Sequence, residues 1–122
     1  MKYLLIFAGF LLSDSALPSP TLGEPQDIVV TATGSEPNNP LSCKFSLTPR
    51  QVQAFLQKAI IITPRENHDN FYYGPCYVSG TATIRGNPVT WEIRSLGTGH
   101  ITFYEEYTFM IADPKMRYEM SE

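Results

Sequence analysis

The chain has 122 residues, a formal net charge of −3, 17% charged residues and two cysteines. That length suits one domain and leaves no room for a second. A mildly acidic chain without a lysine and arginine cluster lacks the basic stripe that phosphate neutralisation needs, so nucleic acid is not an expected partner, and a peripheral membrane role has no support.

The first sixteen residues have the pattern of a cleavable secretory signal. Lys2 supplies a positive start, Tyr3 to Leu12 form an apolar run, and Ser13-Asp14-Ser15-Ala16 provide small residues for a signal peptidase. The run is shorter than the roughly 20 apolar residues that span a bilayer. No cysteine follows it to carry a lipid, so no transmembrane or lipid anchor is expected in the mature chain. The expected location is periplasmic or secreted. Lys2 and Asp14 leave together, so the net charge stays at −3.

Residues 17 to 42 form a Pro-rich arm or linker, interrupted by Asp27-Ile28-Val29-Val30-Thr31-Ala32-Thr33. This β-branched island is expected either to add an edge strand or to stay extended and mobile. An α+β domain is expected over residues 43–114, with 115–122 as a C-terminal tail. In an exported chain, the even pair Cys43 and Cys76 favours one disulfide over two separate buried thiols.

One helix is expected from Thr48, with Pro49 at its first position and Gln51 completing a capping box. Val52, Phe55, Leu56 and Ala59 recur as a single apolar stripe, which Ile60, Ile61 and Ile62 extend before Pro64 stops the helix. The polar stretch Arg65 to Asn70 follows as a loop. From Tyr72 onward the period becomes two, giving a four-stranded antiparallel meander whose first strand runs from Tyr77 to Ile84. Its expected inward positions are Val78, Gly80, Ala82 and Ile84, then Val89, Trp91 and Ile93, then Ile101 and Phe103, then Tyr107, Phe109 and Ile111. The fold class is thus one helix packed on a four-stranded meander, with a Pro-rich N-terminal arm.

The outward face is the candidate binding surface: Tyr77, Thr81, Glu92, Arg94, His100 and Tyr104. Adjacent antiparallel strands could bring Glu92, Arg94 and His100 together. No catalytic residue, cofactor or metal site is expected. His68 and Asp69 are neighbours in sequence but have no nucleophile placed by motif, and neither histidine has metal-ligand spacing.

Two resemblances follow from these residues. Thr48-Pro49-Arg50-Gln51-Val52-Gln53-Ala54-Phe55, Cys76-Tyr77-Val78-Ser79-Gly80-Thr81, Trp91-Glu92-Ile93 and Gly97-Thr98-Gly99 resemble small exported proteobacterial proteins of unknown function, over residues 47 to 101. Asp27 to Thr33 is similar to the TonB box of outer-membrane receptors, which implies a segment suited to strand addition. The chain has neither a receptor's plug nor the many strands of its barrel. The expected function is a protein-binding or inhibitor-like domain acting on another envelope protein through its sheet face or its arm. A structural envelope component is the alternative, and a small hydrolase using His68 or His100 comes third. Mass spectrometry of protein from the exporting cell should find a new N-terminus at Ala16 or Leu17, and an intact Met1 would overturn the export reading.

Overall fold

The computed structural model describes residues 21–39 and 43–117. The expected signal segment and the last five residues of the expected tail lie outside them. Strand β1 spans Pro25–Ser35, helix α1 Pro49–Lys58, β2 Ile60–Ile62, α2 Pro64–Asn70, β3 Cys76–Ile84, β4 Asn87–Arg94, β5 Thr98–Phe103 and β6 Tyr107–Ala112, followed by a 3-10 turn at Pro114–Met116. All six strands form one antiparallel sheet in the order β1-β3-β4-β5-β6-β2.

The expectation of one helix on a four-stranded meander with a Pro-rich arm is therefore corrected to a mainly β domain, a six-stranded sheet with two short helices. Three segments account for the difference. The island at 27–33 takes the edge-strand alternative, inside an eleven-residue strand that pairs with β3, from Pro25 opposite Ile84 to Ser35 opposite Cys76. Ile60 to Ile62 do not extend the helix but pair with Ala112 to Met110 as the opposite edge. Pro64 does not merely end a helix; it occupies the first turn of α2, where Thr63 and Glu66 form a capping box.

Helix α1 forms as its sequence dictates. Thr48 Oγ1 accepts from the Gln51 amide at 3.2 Å, and Gln51 Oε1 accepts from the Thr48 amide at 2.9 Å. Val52 and Leu56 are fully buried, and so is Ala59 at the C-terminal cap. Ala59 already has extended backbone, and the β-branched isoleucines after it continue as strand.

The stripe of α1 meets Val78, Ala82, Ile84, Val89, Trp91, Ile93, Ile101 and Ile111 from the inward face of β3 to β6. Each fully buried large side chain contributes about 1.5–3 kcal/mol. Trp91 fits because it is paired with Gly80: a Cβ there would lie 2.6 Å from the indole ring and 1.9 Å from the Val29 carbonyl oxygen. Its indole N–H donates to the Thr81 carbonyl at 2.9 Å, so no polar group is stranded. The sheet rolls around this core until Thr21, just ahead of β1, bridges Ile60 of β2 and Leu22 enters the interior.

Strand β2 is apolar on both sides. Ile61 packs on the main core, while Ile60 and Ile62 join Phe71, Met110 and Ala112 in a second cluster beside α2. Because β2 is only three residues long, it ends opposite Met110 and leaves the first half of β6 uncovered. The expectation that Tyr107 and Phe109 are buried is thereby corrected: they are 56% and 40% exposed.

Cys43 and Cys76 form a disulfide, joining the segment before α1 to the first residue of β3. The bond closes a loop with a sequence separation of 33, which the chain-entropy account values at about 3–4 kcal/mol. Cys43→Ser is expected to lower the melting temperature by more than about 10 °C. Calorimetry of the oxidised parent and the variant checks this, and equal melting temperatures would show the bond to be idle.

Candidate binding face

Strand alternation points Tyr77, Ser79, Thr81 and Thr83 outward from β3, Thr90, Glu92 and Arg94 from β4, and His100 and Thr102 from β5. Register arranges them in rows across the sheet. Tyr77 stands opposite Arg94, and Ser79 is followed by Glu92, His100 and Met110. A further row runs Thr81, Thr90, Thr102 and Thr108 across four strands, with the last two hydroxyls 2.9 Å apart. The six residues singled out in the sequence share this face but do not form one site. Tyr77, Glu92, Arg94 and His100 gather at one end, while Thr81 and Tyr104 lie along a groove at the other.

Arg94 organises the charged end. Its Nη2 lies 2.7 Å from Glu36 Oε1 and 3.1 Å from Glu92 Oε2, and its Nη1 donates to the Gly74 carbonyl at 3.0 Å. The guanidinium carbon is 4.5 Å from the centroid of the Tyr73 ring and 5.4 Å from that of Tyr77, both within cation–π reach. Tyr77 leans over β1 at Gly34, where a Cβ would meet the phenol ring at 2.6 Å. Tyr73 donates its hydroxyl to Glu36 Oε1 at 2.5 Å. This hydrogen bond, more than Arg94, holds the Glu36 carboxyl below its ordinary pKa, and the same bond raises that of Tyr73.

His100 Nδ1 is 3.8 Å from Glu92 Oε2. That oxygen is shielded from solvent and has no aligned hydrogen bond, although Arg94 is close enough for an ion pair. His100 and Arg94 line a cavity of about 190 Å³, which Asn67 of α2, Tyr73 and Met110 close. Glu36 and Asn67 were not among the residues expected from the sequence, and both come from segments read as linker or loop. Tyr73 belongs to the aromatic run Phe71-Tyr72-Tyr73, which the sequence marks as a satellite core or, if exposed, an interface anchor; Phe71 is buried and the two tyrosines are exposed.

The His68–Asp69 pair lies elsewhere. Its side chains contact at 2.9 Å on α2, with His68 89% exposed and Asp69 also 3.4 Å from Arg65. The bond to His68 is the largest influence lowering the Asp69 pKa. Among the described residues, no group of three or more His, Cys, Asp or Glu side chains could hold a metal ion, and no helix is long and apolar enough to cross a membrane.

Compared with known proteins, the chain matches no family model, no curated protein and no solved structure.

Tyr73→Phe removes the largest influence lowering the Glu36 pKa and is expected to raise it toward the ordinary glutamate value. The interaction that this depressed pKa reports is present above the unfolded glutamate pKa and is lost as pH falls through the folded one. Carboxyl-carbon NMR across an acid titration reads the shift, and an unchanged Glu36 midpoint in Tyr73→Phe would contradict the assignment.

Proposed function

We propose that the chain is an exported, disulfide-stapled binding domain that docks another envelope protein against the Tyr73–Arg94 end of its outer sheet face. The observation that carries this reading is an aromatic pair in a fixed setting: Tyr72 and Tyr73 are 59% and 60% exposed, while the Tyr73 ring is held by Glu36 and by the Arg94 guanidinium. Tyrosine and arginine dominate binding hot spots because they supply large contact area with few rotamers to freeze. Here Arg94 is 13% exposed, so it serves to position the rings rather than to reach the partner itself.

A disulfide forms and persists in oxidising compartments, which supports a periplasmic or secreted location. Strand addition through residues 27–33 has less support than the sheet face, because the segment is not a free arm but is held on β3, and two register shifts break the regular edge that an added strand would need.

Affinity capture from envelope extract tests the proposal. The oxidised parent is expected to retain one partner in stoichiometric amount. The double variant Tyr72→Ala/Tyr73→Ala should bind it at least about thirtyfold more weakly, the roughly 2 kcal/mol of a typical anchor. Equal retention by parent and variant, with both folded, would overturn the proposed docking end.

A further inference from the structure

The opposite end of the outer face has a different chemistry. A groove of about 590 Å³ lies over the threonine row, within the roughly 300–1,000 Å³ typical of small-molecule sites. Thr81, Thr90 and Thr102 line it side by side on three adjacent strands, each offering a hydroxyl and a methyl group. Asp27 lines it from β1, and Tyr104 and Glu105 line it from the β5–β6 turn.

Those last three residues share a backbone feature. Asp27, Tyr104 and Glu105 have φ of 53°, 56° and 57°, in the left-handed region that disfavours L side chains by roughly 1–2 kcal/mol each. Asn-Gly would make the β5–β6 turn without that strain. The tight turn, closed by the Glu106 amide donating to the Phe103 carbonyl at 3.0 Å, presents Tyr104 and Glu105 at the groove. Tyr104 also donates its hydroxyl to Asn87 Oδ1, which fixes the ring while leaving the residue 57% exposed.

The lining narrows the class of ligand. It contains two carboxylates and no lysine or arginine, so phosphates, nucleotides and acidic sugars would be repelled. An exposed aromatic face beside rows of hydroxyl and methyl groups suits a molecule with apolar C–H faces and many hydroxyls at its edges. We propose that this groove binds a saccharide without acidic groups, with one ring stacked on Tyr104 and its hydroxyls bonded to the threonines and to the carboxylates of Asp27 and Glu105. This site is separate from the Tyr73 end and stands or falls independently of the protein-docking proposal.

NMR titration of the oxidised full chain tests it, with chitotriose as the neutral probe and trigalacturonate as the acidic one. Chitotriose should shift the amides of Thr90, Thr102 and Tyr104 with a Kd of about 1 mM or tighter, and trigalacturonate should bind at least about tenfold more weakly. Tyr104→Ala should weaken chitotriose at least about tenfold, and so should Thr90→Lys, which fills the groove without touching the turn. Tighter binding of the chitin hexamer than of the trimer would indicate a polymeric glycan, and equal binding a free or terminal sugar; both support the site. No amide shift at about 10 mM chitotriose, preference for trigalacturonate, or parent-like affinity in both folded variants would overturn it.

Discussion

An antiparallel sheet with one apolar face must bury that face, and here the partner is the stripe of Val52, Leu56 and Ala59 on α1. The rest of the architecture follows from this contact. A ten-residue helix is too short to cover six flat strands, and the sheet instead rolls until its edges meet near Thr21 and Ile60. Rolling leaves a polar outer surface, and both candidate sites lie on it. The small residue at Gly80, which admits the Trp91 ring, lets the inner side close tightly.

Much of this was legible from residue order. The capping box at Thr48 and the period-two runs in β3 and β4 each agree with their local environment, so propensity and burial point the same way. The failures also have physical causes. Ile60 to Ile62 show no alternation because both faces of β2 are covered, and a short unbroken apolar run cannot be told from an extended helix by periodicity. Helix α2 has no buried residue and therefore no apolar stripe to detect. Its signal was nevertheless present: Thr63-Pro64-Arg65-Glu66 repeats the pattern of Thr48-Pro49-Arg50-Gln51. Reading Pro64 as a stop hid its second use as a first-turn residue.

The candidate sites divide along the same line. Glu92, Arg94 and His100 were placed together because register between neighbouring strands is short-range information. Glu36 was missed because it reaches Arg94 only through the pairing of β1 with β3, which brings the end of the arm beside the residues that precede Cys76. The groove also takes its shape from the turn at Tyr104 and Glu105, residue types that do not advertise the left-handed region as glycine or asparagine would.

The strand order also bears on how the chain assembles. Strands β3 to β6 are joined by short turns, so their pairing closes small loops and can form early. The two outer strands come from far upstream: Val30 must find Gly80, roughly fifty residues away, and Ile61 must find Ile111, a similar distance. Until both arrive, a half-built meander exposes two unpaired edges and an uncovered Trp91, the features that lead partly folded chains to aggregate. The bond from Cys43 to Cys76 shortens both searches, because it places the end of the arm and the start of α1 beside β3. Oxidation before the edges are filled would therefore speed productive folding, and a reducing environment would prolong the stage at which this sheet can pair with the wrong neighbour.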